Sequence, residues 1–327
     1  MGDIELNKCV LGIDTGGTKT SLAAVDGRGG IQFSKEISSP STDEQMMVKA
    51  LLDLVDWGLS ESSRKELDVL GIGLGSAGFV LRDEGILVES PNVSWSMVPL
   101  KRLVSGHTGL PTFLDNDANV AALGERFAGE CRGVDDFVYL TLGTGIGGAI
   151  CVDGEVYRGH RGTAAEIGHM IIEPDGPPCK CGSRGCLETL ASGTALEREA
   201  ARFMADDDAS VLRRMCKGDT GGLTGEMISE AAEEGDPAAL KAFSYIAHYL
   251  GLGLVNLIHL LDPEIVVIGG GVSRSGHLLL DDVRSVVRER GVPALVEGAQ
   301  IVLSALGRDA GLIGSAALAW EGIGRLS

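Results

Sequence analysis

Residues 10–26 read VLGIDTGGTKTSLAAVD, and the fold is decided there. An apolar run from Lys8 to Asp14 stops at the glycine pair Gly16-Gly17, and a second run, Thr20 to Asp26, follows at once. A third begins near Ile31. Apolar runs split by glycine turns predict a β-meander. The pattern restarts at residues 137–152, FVYLTLGTGIGGAICV. Phe137 to Leu142 reads as a strand, Gly143 to Gly148 as a glycine-rich turn, and Gly148 to Val152 as a second strand. Ile13 to Thr18 therefore stands beside Leu142 to Gly147 as a weak internal duplication of a phosphate-handling hairpin. Chance competes with that reading, because Gly and Thr are abundant in this chain.

Between and beyond these hairpins, strands alternate with helices. Apolar residues from about Asp43 to Trp57 fall at helical spacing, and Val69 to Leu74 reads as a buried strand. Pro111 to Asp115 is a strand leading into a helix from Asp117. Past Gly193 the chain reads as mostly helical, with a long apolar helix from Pro237 to Leu261. A strand from Glu264 to Ile268 stops at Gly269-Gly270-Gly271. A helix near Gly276 to Arg290, a short strand at Ile301 to Leu303 and a helix from Asp309 complete the chain. Alternation of this kind predicts an α/β sheet protein. No linker marks a boundary, so the duplication places it near Leu114: residues 1–114 with 308–327 form a small N-terminal α/β domain, and 115–307 a larger α/β domain.

Length and charge bound the function. The chain has 327 residues, a soft prior for two domains. Its net charge of −18 repels a nucleic-acid backbone or an anionic membrane, yet leaves room for a nucleotide held by backbone N–H groups and a cation. The opening MGDIELNKCV lacks the basic and apolar regions of a secretion leader, and no apolar run is expected to reach membrane-spanning length. Seven cysteines, an odd number, in a chain of this size argue against a disulfide framework. A reduced, cytoplasmic protein is the expectation.

Three of those cysteines cluster. His169, Cys179, Cys181 and Cys186 read H-x9-C-x-C-x4-C, an imidazole and thiolate set that zinc prefers in closed structural sites. The C-x-C spacing is tighter than usual, and the alternative is a group of reduced structural thiols with a hydrogen-bonded histidine. Glu166 and Glu188 flank the cluster. A zinc-folded loop would bring both carboxylates together, where acceptor-only groups suit a neutral ligand rich in hydroxyl donors. The alternative is a pair of solvated surface glutamates.

Asp115-Asn116-Asp117 sits where a strand ends and a helix begins. Helix capping accounts for one of these residues. The functional reading makes Asn116 a hydrogen-bonding group and Asp117 a general base, held rigidly by the strand end. Asp14, Gly16, Gly17, Thr18 and Lys19 form a turn that lets phosphates approach backbone N–H groups, with Asp14 near a bridging Mg²⁺ through water. Gly143, Thr144 and Gly145 would supply an opposing clamp, and Gly269, Gly270 and Gly271 a surface for the base or ribose. No Walker-type loop is present in the sequence.

Together these residues resemble the ROK family of sugar kinases, in particular its bacterial glucokinase-like members. The resemblance covers nearly the whole chain. It rests on Asp14-Thr15-Gly16-Gly17-Thr18, Asn116-Asp117-Ala118-Asn119, Gly143 to Gly148, Glu166-Ile167-Gly168-His169, and Cys179 to Glu188. It implies an actin-like (ribonuclease-H-like) two-domain sugar kinase with a cleft between domains. Carried over by position, it makes Asp117 the catalytic base. Gly78, Asn116, Glu166, His169 and Glu188 would contact the sugar, and His169, Cys179, Cys181 and Cys186 would hold a structural zinc.

Two positions depart from the family pattern: Ala165 stands where glycine usually precedes Glu-x-Gly-His, and Asp115 where glutamate is common. The implied reaction is in-line phosphoryl transfer from ATP with Mg²⁺ to the C6 hydroxyl of a hexose, glucose first. An N-acetylhexosamine, fructose or allose also fits the shared motifs, as does polyphosphate as donor. A homodimer is the family expectation. The same family contains sugar-responsive repressors; with the first phosphate loop at Asp14, no room is expected for a DNA-binding segment. A catalytic zinc enzyme would need an open metal position, and one histidine with three cysteines leaves none.

Overall fold

A computed structural model describes residues 7–40, 42–90 and 95–326. The first six residues, part of the stretch on which the absence of a leader was read, lie outside them.

The opening meander forms as its sequence predicts. Strands β1 (Lys8–Thr15), β2 (Lys19–Asp26) and β3 (Ile31–Ser38) pair antiparallel in succession. Helix α1 (Glu44–Arg64) starts at Asp43, whose Oδ1 accepts from Met46 N at 2.8 Å. It runs past the expected end at Trp57, because Gly58 lies against Leu22 and Leu11 and lets the helix stay on the sheet. Strand β4 (Asp68–Ser76) then joins β1 in parallel.

The next stretch was not foreseen in the sequence. Strands β5 (Phe79–Leu81), β6 (Ile86–Glu89) and β7 (Ser96–Val98) make a small antiparallel sheet, followed by α2 (Leu100–Thr108). Strands this short carry too few residues for an alternation to register. Strand β8 (Thr112–Asn116) completes the first sheet beside β4, and α3 (Asp117–Ala128) follows directly.

The second sheet takes β9 (Phe137–Leu142), β10 (Ile146–Val152) and β11 (Glu155–Val156). Helices α4 (Leu187–Ala191), α5 (Gly193–Ala205), α6 (Val211–Met215), α7 (Gly225–Glu233) and α8 (Pro237–Leu261) come next. Strand β12 (Ile265–Gly269), α9 (Leu280–Arg290), α10 (Pro293–Val296), β13 (Gln300–Leu303) and α11 (Ala310–Leu326) end the chain.

The two five-stranded sheets share one topology. Their orders are β3-β2-β1-β4-β8 and β11-β10-β9-β12-β13, so each reads third, second, first, fourth, fifth. In each, the fourth strand runs parallel to the first and to the fifth. The echo between the two glycine hairpins is thus part of a repeated sheet.

Side-chain alternation explains the layers of the first sheet. Cys9, Leu11 and Ile13 join one core with Leu51, Leu54 and Val55 of α1. Val10, Ala23 and Val25 face the other way, onto Leu312, Ala316 and Ala319 of α11. Gly12 and Gly73 are paired neighbours in β1 and β4, and a Cβ on either would strike the backbone of α11. Two glycines in register let the helix backbone sit directly on the strands, which fixes the last helix to this sheet.

The contacts define two compact units, one of residues 1–135, 149–165 and 308–327, the other of 136–148 and 166–307. Residues 115–135 and 149–165 therefore group with the first unit and not, as the sequence suggested, with the second. The cause is local: Asp115 and Asn116 are ladder partners of Gly75 and Ser76, and α3 packs on α11.

One further correction concerns α8, which is long and apolar enough to cross a membrane by length and composition alone. Half of its most apolar window is buried, and it packs among α4, α5, α7 and α9. The Pro237–Leu261 run thus reaches a length the sequence reading had assigned to no segment, and here serves as a core helix.

Candidate active site

The first unit places one group of candidate residues at the ends of β1, β4 and β8. Asn116 caps α3: its Oδ1 accepts from Ala118 N at 2.9 Å and Asn119 N at 3.3 Å. Its Nδ2 donates to Gly78 O at 3.1 Å. Gly78 has φ +115°, and a Cβ there would meet the backbone of Glu89 and Ser90. The loop after β4 is thereby tied to the corner between β8 and α3.

Asp117 opens α3, and its Oδ1 accepts from Ala118 N at 2.9 Å. Burial raises the pKa of this carboxyl above the ordinary carboxylate range, against the lowering effect of the hydrogen bonds from Ala118 and Asn116. Asp14 lies close enough to feel it. Burial first, and then the charge of Asp117, push Asp14 up to about 7. Asp14 also borders Gly311 in the first turn of α11, where a helix start favours negative charge.

The turn after β1 is closed by Gly16 N donating to Lys19 O at 2.9 Å. Thr18 is exposed, and the Lys19 ammonium pairs with Glu36 Oε2 at 2.6 Å on the surface.

The second unit carries the other group. Gly143 N donates to Gly145 O at 2.9 Å, which closes the turn after β9. Two residues of α5 hold this turn: Gly193 N donates to Gly143 O at 2.8 Å and Thr194 Oγ1 to Thr144 O at 2.8 Å. Nothing in the sequence pointed to Gly193 or Thr194. Glu188 Oε2 accepts from Ile146 N at 3.0 Å, and a Cβ on Gly145 would collide with that carboxylate. Gly269, Gly270 and Gly271 follow β12, with Gly270 packed on the backbone of Leu142.

His169, Cys179, Cys181 and Cys186 converge, with their ligand atoms all within 4.8 Å of one another. Cys179 Sγ lies 3.7 Å from His169 Nδ1, and Cys181 Sγ lies 3.7 Å from Cys186 Sγ. Tetrahedral zinc with bonds of about 2.3 Å to sulfur spaces its ligands by roughly 3.8 Å, so the set fits. The loop is held by Cys179 N donating to Ser183 O at 2.8 Å and Gly185 N to Pro177 O at 2.8 Å. Burial, with the Cys179 and Cys181 thiols beside it, pushes Cys186 up to about 12. A dication among the sulfurs would supply the opposing charge. Glu166 precedes a single 3₁₀ turn that ends at His169, in which His169 N donates to Glu166 O at 3.0 Å.

Residues 10–321 match the ROK family. The chain belongs to the ROK family.

It is 38% identical over 306 residues to a glucokinase of Halalkalibacterium halodurans, spanning 93% of this chain and 92% of that one. It is 31% identical to a xylose repressor of Caldicellulosiruptor bescii, over 96% of this chain and 79% of the repressor. Among solved structures it resembles a ROK family glucokinase from Streptomyces griseus in complex with glucose and AMPPNP, with a TM-score of 0.84 and 39% identity. That likeness covers 96% of this chain and 100% of the other. This ROK protein therefore has the actin-like, ribonuclease-H-like fold, as the sequence implied.

Both departures from the family pattern now have a physical setting. Ala165 of this ROK protein adopts φ +65°, a left-handed conformation that suits glycine better than alanine. The backbone shape is kept and the strain is accepted. Ala165→Gly is expected to stabilise the protein by about 0.8 kcal/mol. That figure is the relief of roughly 1–2 kcal/mol of steric strain, less the added freedom of the unfolded chain of about 0.4–1 kcal/mol. Urea unfolding midpoints of the two proteins measure it, and a lower midpoint for the glycine variant would contradict it. Asp115 is buried and faces away from solvent, with Arg158 as partner. Its place in the sequence triplet did not reveal that role.

Proposed function

We propose that this ROK protein is an ATP-dependent hexokinase of the glucokinase type, which transfers the γ-phosphoryl group to the C6 hydroxyl of glucose. The observation that carries the proposal is Asp117, a carboxylate fixed at a strand-to-helix corner with its pKa raised by burial. A base tuned upward is better matched to a sugar hydroxyl than an ordinary carboxylate. The likeness to a glucokinase solved with glucose and AMPPNP supports the same choice of sugar and donor.

In this reading Asp117 takes the proton of the attacking hydroxyl. Asn116, Glu166, His169 and Glu188 bind the other hydroxyls, and Gly78 lies against the sugar. Gly16, Gly17, Thr18, Gly143, Thr144 and Gly145 offer backbone N–H groups to the phosphates, and Gly269, Gly270 and Gly271 line the nucleoside. Lys19 would exchange Glu36 for a phosphate, a small change because exposed ion pairs are weak. Mg²⁺ beside Asp14 would return that carboxyl to its ionised form.

Zinc is the proposed occupant of the His169, Cys179, Cys181 and Cys186 cluster. It would hold the loop and leave His169 Nε2 free to hydrogen-bond, since Nδ1 faces Cys179. With all positions filled by protein ligands, it supplies no Lewis-acid step. A cytoplasmic setting is proposed from the sequence reading, and a homodimer from the family alone.

A coupled kinase assay over glucose, N-acetylglucosamine, N-acetylmannosamine, fructose and allose, each with ATP and polyphosphate, tests the proposal. Glucose with ATP is expected to give the highest kcat/KM, and absence of phosphorylation of every hexose would overturn it. The pH profile gives a second check. Asp117 acts only when ionised, and its pKa is raised, so kcat/KM is expected to fall as pH drops through a value above the ordinary carboxylate of about 4. An acidic limb at or below that ordinary value would count against Asp117 as the base.

A further inference from the structure

Asp115 precedes the proposed base by two positions, and its side chain is 3% exposed. A buried carboxylate is costly unless its lone pairs are occupied. Here they are. Oδ1 accepts from Asn116 N at 2.8 Å and from Asn119 Nδ2 at 3.0 Å. Oδ2 accepts from Arg158 Nε at 2.8 Å and Arg158 Nη2 at 2.6 Å, with Arg82 Nε further off at 3.8 Å. With four donors in place, Asp115 has little capacity left for a substrate or a cation.

Those bonds join separate pieces of one unit. Asn116 N belongs to the end of β8, and Asn119 to the first turn of α3. Arg158 follows β11, and its Nη1 donates to Val156 O at 2.9 Å, which anchors the guanidinium to a strand paired with β10. β8 is the last strand of its sheet and has one neighbouring strand, β4. The corner that carries Asp117 therefore lacks a second ladder, and the Asp115–Arg158 pair supplies a substitute tether.

We propose that Arg158, acting through Asp115, is a positioning residue that fixes the Asn116–Asp117 corner for phosphoryl transfer. The inference rests on Asp117 being the base. A planar guanidinium that grips one carboxylate oxygen with two N–H groups holds direction as well as distance, which a lysine does not. A displaced base loses rate far out of proportion to the distance moved. Asn116 is only one of the proposed sugar contacts, beside Glu166, His169 and Glu188, so the effect falls on kcat more than on KM.

The experiment is steady-state kinetics with glucose and MgATP on the full chain, comparing Arg158→Lys, Arg158→Met, Asp115→Asn and the Asp115→Asn/Arg158→Met double variant. Asp117→Asn is run alongside. Lys49→Gln, which breaks an exposed pair with Asp53 on α1, serves as the control. Arg158→Met is expected to lose about 10- to 100-fold in kcat, with Arg158→Lys intermediate. KM for glucose is expected to stay within about threefold, and the double variant to be no worse than the worse single one. Folded Arg158→Met protein with kcat within about twofold of the parent would overturn the proposal, as would single effects that simply add. If Asp115→Asn fails to fold, Arg158→Lys still decides, because it keeps the charge and removes only the fork. Turnover by Asp117→Asn at the parental rate would sink the base assignment and this inference with it; an inactive Asp117→Asn beside a fully active Arg158→Met would sink this inference alone.

Discussion

Asp117→Ala is expected to lower turnover by about 10²- to 10⁴-fold while glucose still binds. The loss follows from removing the group that accepts the hydroxyl proton. Retention of the fold follows from the local bonds. Ala118 N donates to Asp117 Oδ1 at 2.9 Å, but it also donates to Asn116 Oδ1 at 2.9 Å. The cap of α3 therefore survives the truncation, and burial of one raised carboxyl is relieved. A coupled assay gives the rate and titration calorimetry with glucose gives the binding. Near-normal turnover in this variant would show that the base lies elsewhere.

Cys181→Ser is expected to lose bound metal and sugar affinity together. Removing a direct ligand should weaken metal binding by more than the roughly 10- to 100-fold typical of partners one shell out. Cys181 is exposed and contributes no core packing, so the effect is on the ion and the loop it closes. The sugar consequence comes from neighbours of the cluster. His169 is a ligand through the nitrogen facing Cys179, and Glu188 stands two residues beyond Cys186 with its carboxylate on Ile146 N. Releasing the loop frees both. Elemental analysis of the purified variant, with glucose titration beside it, measures the two losses, and an unchanged zinc content would refute the ligand set.

The Gly145–Glu188 contact adds a link between the metal loop and the turn proposed to hold phosphate. A side chain at position 145 would have to push the Glu188 carboxylate off Ile146 N. The turn's sequence signal was ambiguous, because Gly-Thr-Gly turns also close ordinary hairpins.

Most strands and the long helices were legible because each has a period or a boundary residue of its own. β1 is a continuous apolar run, since both of its faces are covered by helices, and α1 begins at a capping aspartate. The metal cluster was legible because its residue types are scarce and close in sequence. The unit boundary was misplaced because β8 pairs with β4 across about forty intervening residues of chain, a contact with no local signature. Arg158 was missed for the same reason: it meets Asp115 from 43 positions away, and an arginine between Tyr157 and Gly159 has no pattern to mark it.

By itself the sequence determined most of the longer strands, where the glycine turns fall, and which residues are chemically able to bind metal, sugar and phosphate, because these depend on local side-chain periodicity and residue type. Only the tertiary structure decided that two sheets repeat one strand order, that Asn116 and not Asp115 caps α3, and that Arg158 grips the strand end before the base. Those are pairings between distant segments, fixed by the shapes of packed surfaces and the need to satisfy a buried charge.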